Sequence, residues 1–132
     1  MWNFKTLLRS IVISSLFFIN GGCSTYEEHT KMITKKLSYE DLYLMERKQR
    51  ELADKLIKEN QNEDIIKEVK DGAVKIRFNL DFMKDHPEYD LFEIELPITT
   101  YIVEGTTIEF LSDEGVLKRV RSMEKGWEEY KE

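Results

Sequence analysis

Side chains able to do chemistry are sparse in this sequence, and the densest group of them is the run Lys84-Asp85-His86-Pro87-Glu88. There Asp85 could orient the His86 imidazole as a general base, with Glu88 or Asp90 as a second carboxylate, which is the equipment of a small hydrolase. No partner nucleophile is identifiable, and neighbours on a loop often point apart. Pro87 and the polar flanks describe an exposed bend, in which water screens the carboxylates. Asp81, Asp85, Glu88 and Asp90 are dense enough to suggest calcium, yet they lack the spacing and the turn glycine of an EF-hand loop. The other histidine, His29, has no second ligand near it. The one cysteine, Cys23, excludes an internal disulfide and a cysteine-based zinc cluster, which leaves its sulfur either incidental or singled out for chemistry. The expectation is no catalytic set, no metal and no cofactor, with a hydrolase built on His86 as the alternative.

The elements that would carry these residues follow from periodicity. With 132 residues, 41% hydrophobic and 35% charged, the chain has room for one small domain and extra segments, not for a multidomain enzyme. Residues 24–36 mix Ser, Thr, Glu, His and Lys without a period able to bury a face, and read as a flexible tether. Ser38 and Asp41 form a Ser-x-x-Asp helix start, followed by a helix from about Tyr39 to Glu59. Its Leu42, Met45, Leu52 and Leu56 take heptad a and d positions around polar Gln49, which fits a helix packed within its own domain, or a short coiled coil. Asn60-Gln61-Asn62 breaks the pattern, and Glu63-Asp64 opens a short second helix through Ile65, Ile66 and Val69 that Gly72 ends.

From Val74 the period changes to two. Val74, Ile76, Phe78, Leu80 and Phe82 alternate with Lys75, Arg77, Asn79 and Asp81, which predicts a strand with one buried and one wet face in an antiparallel sheet. Phe92, Ile94 and Leu96 repeat the alternation against Glu93 and Glu95, until Pro97 interrupts the strand or places it on an edge. Residues 98–103 and 106–111 are further β-rich runs joined by a tight Glu104-Gly105 hairpin. After the Ser112-Asp113-Glu114-Gly115 turn, residues 116–121 return as a strand; the alternative is a helix, because Val116, Leu117, Val120, Met123 and Trp127 also fit helical spacing. Trp127 to Tyr130 close the sheet with a short helical turn. The expected fold is α+β over residues 37–132, with an N-terminal helical hairpin packed on a small antiparallel β-meander.

Ahead of that domain, residues 1–22 read as a targeting segment. Lys5 and Arg9 make a basic start, residues 11–19 form an apolar run broken only by Ser14 and Ser15, and Asn20-Gly21-Gly22-Cys23 follows at once. As a helix this run rises only about 14 Å, against a hydrocarbon core of about 30 Å. It has the form of a secretory h-region. These residues resemble a bacterial lipoprotein signal, whose lipobox ends in a cysteine that is lipidated on its sulfur and becomes the new N-terminus. Gly21, Gly22 and Cys23 fit, while Asn20 stands where an aliphatic residue is usual. The resemblance covers the first 24 or so residues. It implies a membrane anchor on Cys23, a tether over residues 23–36 and, under Gram-negative sorting rules, Ser24 as the residue that permits transfer to the outer membrane. Acyl chains contribute about 0.8 kcal/mol per buried methylene, so the domain behind them needs no membrane-binding helix of its own.

Twenty basic against 26 acidic residues give a net charge of −6, and removing residues 1–22 takes away Lys5 and Arg9 and makes it −8. That balance, together with export, argues against nucleic acid as a partner. Between Lys84 and Lys118 there are nine acidic residues and no lysine or arginine. On the expected strands, Glu93, Glu95 and Glu109 project from one side of the sheet, with Lys75 and Arg77 on the solvent side of the first strand. Some would pair across strands. The rest leave a negative patch suited to a basic partner, or a solvated face that keeps an exported protein soluble. The function these features suggest is that of a membrane-anchored envelope lipoprotein, non-catalytic, which binds or assembles with another envelope protein through Glu93, Glu95 and Glu109. An immunity or exclusion factor that blocks an incoming toxin or phage component is one version of it.

Overall fold

The computed structural model describes residues 26–131, so the targeting segment, Cys23 and Ser24 lie outside the described residues. In chain order the elements are β1 (Tyr26–Leu37), α1 (Tyr39–Lys58), α2 (Glu63–Asp85), β2 (Tyr89–Val103), β3 (Thr106–Leu111), β4 (Val116–Ser122) and β5 (Gly126–Glu129). Two helices and an antiparallel sheet make the fold α+β, with strand order β1-β2-β4-β5 and β3 paired to β2. The expected class holds, but not the expected order: a strand precedes the helices, and β2 serves both β3 and β4, so the sheet is not a simple meander. The chain divides into two compact units, residues 26–31 with 98–110, and residues 32–97 with 111–131.

In the larger unit the start of α1 is as expected. The Ser38 hydroxyl accepts from the Asp41 amide at 3.2 Å, and the Asp41 carboxylate accepts from the Ser38 amide at 3.0 Å, so two orphan donors are satisfied reciprocally. At the other end Asn60 takes a left-handed φ of 54°, its amide bonds Ile57 O and the Gln61 amide bonds Leu56 O, a Schellman closure with Asn in the glycine position. Asn62 then caps α2 by accepting from the amides of Asp64 and Ile65. The buried stripe of α1 is Leu42, Glu46, Gln49, Ala53 and Leu56. Met45 and Leu52 are half-buried, so the expected d positions stand beside the core stripe instead of within it.

The largest correction concerns residues 74–82, expected as a strand and found within α2. The helix does not end at Gly72 but continues to Asp85. Ile65, Val69, Ala73, Ile76, Leu80 and Met83 form one continuous buried stripe at helical spacing. The alternation from Val74 to Phe82 mixes two faces of that helix, for Ile76 and Leu80 are buried whereas Val74 and Phe78 are 53% and 58% exposed. Lys75 and Arg77 accordingly stand on a helix, where Arg77 approaches Glu46 at 3.7 Å and Asp81 at 3.8 Å. Gly72 is inside α2 because of what lies against it: a Cβ there would overlap the Leu111 carbonyl and stand 2.8 Å from the Gln49 amide nitrogen. That amide is the reason a polar residue occupies the middle of the α1 stripe. Gln49 donates to Val69 O at 3.0 Å and to Leu111 O at 2.7 Å, and accepts from the Leu111 amide at 2.8 Å, so its side chain satisfies backbone groups of α2 and β3 inside the core.

The strands of this unit bury Phe92, Ile94 and Leu96 from β2 and Val120 from β4. Residues 116–121 are strand, as favoured, and pair antiparallel with Tyr89 to Glu95. Trp127 to Glu129 belong to β5 and not to a helical turn. Pro97 does not interrupt β2, because proline lacks only the amide: its carbonyl accepts from the Ser112 amide at 3.0 Å.

In the smaller unit, residues expected to be tether begin β1. The hydrophobic pattern missed them because polar pairs do the burying. Glu28 is buried and accepts from the Tyr101 hydroxyl at 2.8 Å, and the Thr30 and Thr99 hydroxyls meet at 2.8 Å, while Glu27, His29 and Lys31 are exposed. Tyr101 stacks on Phe110 with centroids 5.9 Å apart, beside buried Ile98 and Ile108. The Glu104-Gly105 hairpin forms as expected, with φ of 50° and 80° at the two central residues, the pair of left-handed conformations that a primed two-residue turn requires.

Candidate functional site

The larger unit carries a groove built on a second apolar stripe of α2. Val74, Phe78 and Phe82 stand at i, i+4 and i+8, one helix face away from the core stripe. Val74 and Phe78 are largely exposed, and Phe82 is half-buried. The Phe82 ring is the floor: it meets Tyr130 edge-on at 5.3 Å and Phe92 edge-on at 6.3 Å, arrangements that aromatic quadrupoles favour. Around it Phe78, Phe92, Ile94, Val116, Leu117 and Tyr130 line a groove of ≈ 590 Å³ in which Glu114 is the one charged residue. Asn79 fixes the far wall, accepting from the Gly115 amide at 2.9 Å and donating to the Gly115 carbonyl at 3.5 Å, so the turn before β4 is held to α2. A second hollow of ≈ 460 Å³ lies beside Met83, Tyr89 and Phe92, with Ser38, Lys84 and Asp90 among its polar residues.

His86 sits next to the groove floor as the C-cap of α2. Its ring is 4.3 Å from that of Phe82 and 5.9 Å from that of Tyr89, measured between centroids. The carboxylate that engages it is Glu88, at 3.1 Å from Nδ1, and not the expected orienting residue Asp85. That hydrogen bond holds the Glu88 carboxyl below its ordinary value. Asp90 is committed to Arg121, whose Nε donates at 3.1 Å and whose Nη2 makes a second bond, a bidentate pair that lowers the Asp90 pKa and raises that of Arg121. Of the two residues offered as a second carboxylate, Glu88 is therefore bonded to His86 itself and Asp90 to Arg121.

The residues expected to bind a partner fall in different places. Glu93 lies across from Arg119 in the β2–β4 register and pairs with it at 3.3 Å. Arg119 in turn lies 4.9 Å from the Trp127 ring centroid, with Lys36 over the same ring at 5.3 Å. Glu95, two residues on, is half-buried. Glu109 is exposed on β3, in the smaller unit, where Thr100 donates to it at 3.5 Å. Further acids of the same run have cationic partners, as Asp113 does in Lys75 at 3.7 Å.

Among the described residues no group of His, Cys, Asp and Glu could hold a metal ion, and no helix is long and apolar enough to cross a membrane. What the groove can do is remove water from an apolar surface laid into it. Sequence reasoning missed Phe78 and Tyr130 as its residues; the signal for Phe78 was its i, i+4 spacing with Phe82, legible once the α2 period is counted from Ile65. No protein family, curated protein or solved structure matches this chain.

Proposed function

We propose that this chain is a lipid-anchored protein of a bacterial envelope and acts as a non-catalytic docking module, with the groove beside Phe78 receiving an apolar segment of another envelope protein. The observation that carries the docking is Phe78 itself, a phenylalanine 58% exposed at the mouth of an aromatic groove. Aromatic side chains, phenylalanine among them, are enriched at the cores of protein–protein interfaces, where a few residues carry most of the affinity. An open groove with one charged lining residue suits a chain segment that inserts apolar side chains in series better than a small polar ligand, which needs enclosure and several placed polar groups.

The anchor reading rests on Cys23 and the segment before it. A net charge of −8 after removal of residues 1–22 favours a partner whose flanks are basic, with Glu95 as an acidic contact that steers its approach to the larger unit. The test is affinity capture from solubilised envelopes at low salt with the unaltered protein and with Phe78→Ala in parallel. The supporting result is a partner recovered by the first and lost by the second, at equal thermal stability. Recovery of the same proteins by both would remove the groove from the function.

A further inference from the structure

β1 begins at Tyr26, so three peptide links separate it from Cys23. Three links span at most about 11 Å in any conformation. The contacts of the smaller unit say what stands at that end of β1. Glu28 meets Tyr101 and Thr30 meets Thr99, so each two-residue step along β1 is matched by a two-residue step back along β2. Continued by one more step, this antiparallel register sets Tyr26 beside Val103, the last residue of β2, with the Glu104-Gly105 turn directly beyond. Neighbouring strands lie about 4.8 Å apart. Val103, at the base of the turn, is thus within about 16 Å of the Cys23 backbone and the Glu104-Gly105 tip one to two residues farther, within about 23 Å, while the interfacial layer of a leaflet is itself about 5–8 Å deep.

We propose that the tip of the β2–β3 hairpin, from Ile102 to Thr107, rests in the headgroup layer of the bilayer that holds Cys23. The inference depends on the lipid-anchor reading and adds to it which surface meets the membrane. The composition of the tip fits an interfacial position. Ile102 is 37% exposed, Thr106 and Thr107 offer exposed hydroxyls to ester and phosphate oxygens, and no lysine or arginine occurs from residue 98 to residue 110. The one charged residue of the tip, Glu104, is acidic, so contact comes from the short link and from hydrogen bonding, not from attraction to anionic lipid, and added salt does not weaken it.

The experiment uses the full-length protein carrying Thr106→Cys, in which acylation of Cys23 leaves residue 106 as the free thiol for a fluorophore. It is reconstituted in phosphatidylethanolamine–phosphatidylglycerol vesicles containing lipid with a nitroxide on the headgroup. The label is expected to lose most of its emission. A second protein has about 20 flexible Gly and Ser residues inserted between Thr25 and Tyr26, a linker with a root-mean-square span of about 25 Å, and its label is expected to recover most of that emission while remaining in the vesicle fraction. Acylated protein whose label is equally bright with and without the insertion overturns the proposal and leaves the anchor intact. A Cys23 that gains no acyl mass overturns the anchor reading and the proposal together.

Discussion

Replacing Phe78 by alanine separates what the groove does for folding from what it does for binding. A fully buried phenylalanine replaced by alanine costs about 3–5 kcal/mol. Phe78 is 58% exposed, so less than half of that surface is at stake. Alanine also returns a few tenths of a kcal/mol of helix propensity at this mid-helix position. The net loss of stability is about 1 kcal/mol, or roughly 4–8 °C in melting temperature for a domain of this size. In a docked complex the same ring would be desolvated completely, and truncation of such an anchor costs about 2–4 kcal/mol of affinity, a 30- to 1,000-fold rise in Kd. Phe92, in the same groove but only 2% exposed, should behave in the opposite way, with the full 3–5 kcal/mol or so lost from the fold. Thermal melts of both variants, with titration calorimetry against the partner recovered by the unaltered protein, distinguish the two residues. A Phe78→Ala protein that binds with unchanged affinity would refute the assignment of the groove.

Gly72→Ala should destabilise the protein although alanine favours helix by about 1 kcal/mol, because the added methyl meets the Leu111 carbonyl and displaces the Gln49 amide. Chemical denaturation is expected to show a net loss of about 2–4 kcal/mol, and a variant as stable as the parent would show that the α2–Leu111 approach is looser than described. The Asp90 carboxyl is held below its ordinary value in the folded state by Arg121, so its contribution is present above the ordinary aspartate range and is lost as pH falls through the lowered value. Arg121→Gln should therefore melt lower than the parent at neutral pH, with the gap closing as the pH becomes strongly acidic; a gap that is constant with pH contradicts that origin. Cys23→Ser should move the protein from the membrane fraction to the soluble fraction, checked by fractionation and by the mass of the mature N-terminus.

Local chemistry was legible in the sequence wherever a backbone need is met by a residue a few positions away. The Ser38–Asp41 box, the Asn60-to-Asn62 break, the Glu104-Gly105 turn and the strand after Gly115 are all of that kind. What was not legible was set by contacts distant in sequence. β1 carries few apolar residues, and its first half buries Glu28 against Tyr101 and sets half-buried Thr30 against Thr99, some seventy positions away. Gly72 has the form of a helix stop, and only the carbonyl of Leu111 reveals it as a point of close approach. Of the site, the acids were visible but their partners were not, since Arg119 and Arg121 reach Glu93 and Asp90 only through the β2–β4 pairing.

The misread segment and the proposed site are the same stretch of chain. A helix with one apolar stripe announces its period, because each apolar residue follows another at three or four positions. α2 carries a second stripe, and superposing Val74, Phe78 and Phe82 on Ile76 and Leu80 produces alternation over nine residues, which imitates a strand. The Ile76 and Leu80 set continues the buried stripe begun at Ile65 and Val69. Val74 and Phe78 add apolar surface that the described fold leaves in water. The proposed docking would cover the Phe78 part of it. A local pattern that disagrees with the global fold is expected at a functional position, and along this helix the disagreement includes Phe78, at the mouth of the groove.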